Sequence, residues 1–251
     1  MKRRLYNIFR EDGKAVVLAM DHAEVIDVSK DLENPGEIIT KAVNSGVDAL
    51  LTTFGVAQHF QKEIGRAGLI LRIDGGTTEK NPTGRVFDKA TKMFNVEDAI
   101  RLGADGVMCM GFTGVEDEHI SLKNIASTAA ECQKWGLAFG VEMIPGGFYD
   151  TKQWMIENIE FASRVGAEYG ADFIKAPFIG DAKSYKKVID NCYKPILVLG
   201  GGESKTEEEL LAMVKEAMEA GCSGVIIGRN IWKNKEMEEM IRSIVRIVHN
   251  G

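Results

Sequence analysis

The chain has 251 residues, 45% hydrophobic and 27% charged, an ordinary composition for a folded protein with one sizeable core. A net charge of −6, with no Lys/Arg run longer than Lys2-Arg3-Arg4, argues against nucleic acid as a partner. No window approaches the roughly 18–20 apolar residues that span a bilayer, and the basic N-terminus runs into charges instead of an apolar signal core, so a cytoplasmic protein without membrane partners is expected.

Cys109, Cys132, Cys192 and Cys222 are scattered without CxxC or His-partnered spacing. That excludes the usual zinc and disulfide patterns and fits a reducing compartment; no metal or other cofactor is expected. Glycine is the compositional deviation, 27 residues, roughly 11% against a usual ~7%.

In chain order, the first apolar run is AVVLAM (15–20), which ends on Asp21 and His22. A helix predicted over 35–45 leads through AVNSGVDALLTT into a second strand ending at Thr52 and Thr53. A helix over 55–65 precedes the third strand, LILRI (69–73), with Asp74, Gly75 and Gly76 beyond it. A helix over 95–103 leads through AIRLGADGVMCM to a fourth strand ending near Gly111. Glu116, Asp117 and Glu118 then open a helix over 118–135, where carboxylates favour the positive end.

The fifth strand, LAFGVEM (137–143), carries Glu142, and a helix over 151–169 leads through GAEYGADFIKAP to a sixth that carries Lys175. A helix over 181–191 precedes PILVLG (195–200), which opens onto Gly200, Gly201 and Gly202. Ser204 and Glu207 have the spacing of a capping box for a helix over 205–220. AMEAGCSGVIIG supplies the eighth strand, followed by Gly228, Arg229 and a last helix over 235–249. Four of these junctions place a glycine (Gly46, Gly103, Gly170, Gly221) where a helix would stop in a left-handed cap.

The apolar runs are short and mostly unalternating, as parallel strands buried on both faces should be. Eight strand–helix units average roughly 31 residues each, the size of a βαβ unit in a closed eight-fold barrel. The expected architecture is therefore a (β/α)₈ barrel, a single domain over 1–251. A doubly wound open sheet is disfavoured because no GxGxxG follows the first strand.

In such a barrel the chemistry sits at the C-terminal ends of the strands. Two-residue alternation in DFIKAPF sets Phe173 and Lys175 against Asp172 and Ile174; if Ile174 packs outward, Lys175 points into the barrel. A partly dehydrated lysine there can serve as a neutral nucleophile. The alternative is a structural lysine paired with Asp21 or Glu142.

Gly200, Gly201 and Gly202 after strand seven, with Gly228 and Arg229 after strand eight, form the loop pair that often binds a phosphate in this fold. Asp21 or His22 could transfer protons. His59, His119 and His249 read as surface residues, and the VMCMG run as core.

Six segments carry a family resemblance: AMDHA (19–23), LRIDGGTT (71–78), HISLKNI (119–125), GADFIKAPF (170–178), LVLGGGES (197–204) and GCSGVIIGRNIW (221–232). In order and spacing, over nearly the whole chain, they resemble the class I aldolases of the fructose-bisphosphate and deoxyribose-phosphate aldolase family, with the autoinducer-2 phosphate thiolase branch close by. The resemblance implies a metal-independent carbon–carbon lyase in which Lys175 forms an imine with a phosphorylated keto-sugar. It makes Asp21 the acid that assists carbinolamine chemistry and gives the phosphate to Gly200–Gly202, Gly228 and Arg229. His22 matches the acid/base histidine of the thiolase branch, and a homo-oligomer is implied.

Two departures stand against ordinary fructose 1,6-bisphosphate as substrate. The family's Tyr-Pro after strand five is Ile144-Pro145 here, which leaves Glu142, His22 or Tyr149 to move the proton. Ala176-Pro177-Phe178 after the lysine is less polar than in relatives. Alternative readings are a coenzyme A-dependent thiolase acting on a phosphorylated dione, a non-catalytic phosphate-binding barrel, and a sugar-phosphate isomerase using Asp21 and Glu142.

Overall fold

The computed structural model describes residues 2–26, 32–83, 85, 87, 90–201 and 206–250. Eight parallel strands close into a barrel: β1 (Ala15–Ala19), β2 (Ala49–Thr52), β3 (Gly68–Arg72), β6 (Gly106–Thr113), β7 (Ala138–Pro145), β8 (Phe173–Ala176), β9 (Ile196–Leu199) and β10 (Gly224–Ile227). Around the ring the order is β1-β10-β9-β8-β7-β6-β3-β2. Each coincides with one of the eight predicted apolar runs. A short antiparallel pair, β4 (Asp74–Gly75) with β5 (Thr91–Lys92), is inserted between β3 and β6, and periodicity did not announce it.

The helices are α1 (Pro35–Asn44), α2 (Phe54–His59), α3 (Gln61–Ile64), α4 (Val96–Arg101), α5 (Glu118–Trp135), α6 (Ile156–Glu168), α7 (Ala182–Asn191), α8 (Glu207–Ala220), α9 (Arg229–Trp232) and α10 (Met237–Asn250). Among the described residues none is long and apolar enough to cross a membrane.

Side-chain alternation on the strands produces two cores. Val17, Leu51, Ile70, Met108, Phe173, Leu197 and Ile226 fill the barrel interior, while Val16, Leu50, Leu71, Val107, Ile174 and Val198 face the helices. The residues before β1 plug the lower end, where Ile8 is fully buried and the Phe9 ring meets Phe173 edge-on at 5.6 Å between centroids. In α10, Met237, Met240, Ile241, Ile244 and Val248 repeat at helical spacing and form its buried stripe.

All four predicted helix-ending glycines have positive φ. Gly221 is representative: at φ +99° it caps α8, and its N–H donates to the carbonyls of Ala217 and Met218, which no residue further along the helix satisfies.

Several expectations need correction. The helix expected over 55–65 is two short helices, α2 and α3, divided at Phe60, whose ψ of 33° departs from helical geometry. The helix expected over 151–169 begins only at Ile156. Gly146 and Gly147 turn the chain at φ +71° and +70°, and Trp154 Nε1 donates to the Gly147 carbonyl, which holds the stretch before Ile156 out of the helix. The cap of α8 is formed by Thr206 and Glu209, each side chain accepting from the other's backbone N–H; Ser204 lies outside the described residues. His249 is packed inside, its two ring nitrogens 2.7 Å from Asp12 and 3.0 Å from Asp48, so it staples α10 beneath the barrel. Asp48 also accepts the Val16 N–H at 2.6 Å, tying that staple to β1.

Candidate active site

The alternation that buries Ile174 against the helices turns Lys175 into the barrel mouth. Lys175 and Glu142 are paired register positions on β8 and β7, and Lys175 Nζ lies 2.9 Å from Glu142 Oε1. Both line a pocket of about 430 Å³ at the C-terminal end of the strands. Asp21, His22, Gly200, Gly201, Gly228 and Arg229 line it too. The structure thus brings together every described residue singled out from sequence; Gly202 lies outside the described residues. Lys175 is both ion-paired, as the structural alternative supposed, and open to the pocket.

Arg72 organises the floor, and sequence reading missed it. The residue is 1% exposed; Nε donates to Asp21 Oδ2 at 2.9 Å, Nη2 donates to Glu142 Oε2 at 2.5 Å, and Nη1 lies 3.6 Å from Asp74 Oδ1. The signal was available: arginine is the one charged side chain in the apolar run LILRI, at an inward-facing position.

Burial favours the neutral carboxylic acid. For Asp21 this is outweighed by the charges of Arg72 and Lys175, which hold its carboxyl well below the ordinary carboxylate range. Burial would raise Glu142 as well, yet Lys175 and Arg72 keep it below its usual value. Asp74, farther from Arg72, shows the reverse: burial pushes its carboxyl up to about 6, although its Oδ2 accepts the Met110 N–H at 2.6 Å.

His22 follows β1 on a 3₁₀ turn, beside Asp21. Burial lowers its imidazole to about 4, with Lys175 and Arg229 adding to the effect against the pull of Asp21, so the ring is neutral near pH 7. Among the described residues its buried Nδ1 has no hydrogen-bond partner. The ring rests edge-on to Trp232, whose Nε1 donates to the Ala19 carbonyl. Gly228 makes this fit possible, since a Cβ there would lie 2.5 Å from His22 Cε1 and 2.6 Å from the Ala19 oxygen. Asn230 Nδ2 donates to the Gly200 carbonyl at 3.0 Å and ties together the loops after β9 and β10.

Most of the rest of the mouth is apolar, with the polar side chains of Tyr149, Thr151 and Asn230 at its edge. Val25, Phe87, Met110, Phe112 and Ile144 form one buried cluster, with Phe148 and Trp154 against it. Ile144, where the resembling family has tyrosine, is fully buried in that cluster and does not line the pocket. Tyr149 does line it, half-exposed, with the Arg85 guanidinium 5.8 Å from its ring.

Phe87 is the second missed feature. It is the one described non-glycine residue with positive φ, 56°, a conformation that costs a bulky residue on the order of 1–3 kcal/mol. The strand pair β4–β5 brackets the excursion that bears it, and the Phe87 N–H donates to the Thr77 carbonyl at 3.0 Å. Gly76 lets its backbone approach, because a Cβ there would sit 2.6 Å from Phe87 Cα. The ring stands 6.0 Å from the Arg72 guanidinium and shields the ionic floor.

Comparison with known proteins agrees with the fold. The profile of the DeoC/LacD family aldolases matches residues 15–234. An uncharacterized aldolase of Saccharolobus solfataricus is 30% identical, covering 99% of this chain and 94% of that protein. A class 1 fructose-bisphosphate aldolase of Thermoproteus tenax is also 30% identical, over 100% of this chain and 95% of its own. Among solved structures, an archaeal fructose 1,6-bisphosphate aldolase superposes with a TM-score of 0.89 at 28% identity, covering 100% of this chain and 99% of that one. Another archaeal fructose-1,6-bisphosphate aldolase, whose catalytic lysine is covalently bound to the carbinolamine intermediate of its substrate, gives 0.88 at 27% identity, covering 98% of each chain. The chain belongs to the DeoC/LacD family of aldolases.

Proposed function

We propose that this aldolase makes and breaks a carbon–carbon bond of a phosphorylated keto compound, with Lys175 as the imine-forming amine. The observation that carries the reading is the position of Lys175 Nζ, inside the pocket and 2.9 Å from Glu142 Oε1. An amine becomes a nucleophile only after giving up its proton, and Glu142 is the adjacent acceptor.

In the cleavage direction, Lys175 transfers a proton to Glu142 and attacks the substrate ketone. Glu142 returns that proton to the carbinolamine hydroxyl, which leaves as water and gives the iminium. Asp21, kept ionised by Arg72, offsets the new positive charge. The iminium withdraws the electron pair of the carbon–carbon bond as the neutral His22 ring accepts the proton of the hydroxyl one carbon beyond. An aldehyde departs, the His22 imidazolium gives its proton to the enamine carbon, and water restores the free lysine and releases the ketone. Asp21 is thus an electrostatic partner here and Glu142 the shuttle. Gly200, Gly201, Gly228 and Arg229 hold the phosphate, and Gly202, next in sequence, is proposed to join them.

The test is reduction by borohydride in the presence of dihydroxyacetone phosphate. A mass adduct on the peptide bearing Lys175, absent from K175A, is expected. Turnover without any adduct would move the chemistry to acyl transfer to coenzyme A.

A further inference from the structure

The substrate class of this same site can be narrowed, on the reading that Lys175 forms the imine. We infer that the enzyme takes a singly phosphorylated ketone donor and joins it to an uncharged, apolar aldehyde, not to a second phosphorylated fragment.

The ring order places β6 and β3 across the barrel from β10 and β9. A donor whose phosphate rests at Gly200, Gly228 and Arg229, after β9 and β10, and whose carbonyl reaches Lys175 on β8, therefore points its reacting carbon toward β6 and β3. There the pocket is walled by Met110 from β6, by Phe87 between β3 and β6, and by Phe148 and Trp154 from the loop after β7, with Val25 closing the β1 side. These side chains belong to one apolar cluster, and Ile144 packs beneath them where a phenol would offer a hydroxyl. An apolar wall gains from desolvating an alkyl or aryl group, and it costs a phosphate its hydration with no cation among the described residues of the wall and only the hydroxyls of Tyr149 and Thr151 beside it to offset the loss.

Charge argues the same way. Arg72 is committed to carboxylates on the floor, and the neutral His22 adds no positive charge. Beyond Phe87, Phe148 and Tyr149 lies a second groove of about 540 Å³, lined by Glu116, Asp117 and Asp150. Arg85 is the described cation there, and its guanidinium stands over the Tyr149 ring. A second phosphate directed through the wall would meet three carboxylates. The wall is also built to persist: Phe87 is held at positive φ and Gly76 is the residue that admits its backbone.

The experiment compares two acceptors for aldol addition to dihydroxyacetone phosphate, glyceraldehyde 3-phosphate and butanal, with borohydride trapping on the donor alone as a parallel measurement. We expect the Lys175 adduct to form and kcat/KM to favour butanal by about tenfold or more, the scale on which pocket chemistry separates small substrates. The F148R variant should shift the ratio toward glyceraldehyde 3-phosphate by a similar factor, because it adds a cation to the wall. An adduct together with preference for glyceraldehyde 3-phosphate in the unmodified enzyme overturns the inference and leaves the lysine chemistry standing. Absence of the adduct overturns the lysine reading and the inference with it. The comparison in the unmodified enzyme decides even where F148R fails to fold.

Discussion

Glu142 and Lys175 occupy paired register positions on β7 and β8, and their charged ends meet at 2.9 Å. The backbone ladder thereby fixes the distance between the amine and its proton acceptor. Glu142→Gln keeps the shape and a hydrogen-bond acceptor but removes the base. Its kcat/KM should fall by ~10²–10⁴, the usual worth of a positioned acid/base. Borohydride trapping should still occur at Lys175, only more slowly, so single-turnover trapping rates check the assignment. An unchanged trapping rate would remove Glu142 from the proton path.

Arg72 carries a different burden. It is buried against Asp21, Glu142 and Asp74, and removing it leaves three carboxylates without their shared cation. Arg72→Met should lower unfolding free energy by about 3–5 kcal/mol, the scale for one broken buried ion pair. Adding Asp21→Asn and Glu142→Gln to the same chain should recover a substantial part, because neutral amides do not need the cation. Urea unfolding of the single and triple variants tests this; equal destabilisation in both would show that Arg72 acts through packing alone.

The barrel was legible because each strand is a short apolar run, four of them entered through a helix-ending glycine, and Lys175 because alternation from Ile174 leaves it one direction to face. Arg72 left a signal, a lone charge in an apolar run, but one that does not name its partners. An arginine at a strand end reads as a solvent-facing terminus unless its three carboxylate partners, contributed by β4, β7 and the turn after β1, are known to converge on it. Phe87 was hidden more deeply, since its positive φ depends on a two-stranded insertion and on the absence of a Cβ at Gly76. His249 read as surface because its partners, Asp12 and Asp48, lie more than 200 positions away in the chain.

Gly228→Ala tests the fit between the loop after β10 and His22. The new Cβ would stand 2.5 Å from the His22 ring and 2.6 Å from the Ala19 oxygen. The ring can rotate but the β1 backbone cannot, so the loop must move and carry Arg229 with it. A stability loss of ~1–3 kcal/mol is expected from overpacking. KM for a phosphorylated substrate should rise more than kcat falls. A kcat effect with unchanged KM would place the damage at His22 and not at the phosphate loops.

Asp74 gives a pH dependence with a definite sign. Burial raises its carboxyl from an ordinary 3.8 to about 6 over the opposing charge of Arg72, so between those values the folded chain binds more protons than the unfolded chain. The protonated acid favours the fold: its contribution is complete below about pH 4 and is lost as pH rises through about 6, on the order of 1–3 kcal/mol in total. Asp74→Asn should abolish that loss. Its amide oxygen can still accept the Met110 N–H, and no charge remains to be buried. The stability of the variant relative to the unmodified protein should therefore increase between about pH 4 and pH 7 in paired urea titrations, where the other titrating groups cancel. A difference that stays flat across this range, or that runs the other way, would mean that Arg72 holds Asp74 ionised in the folded protein.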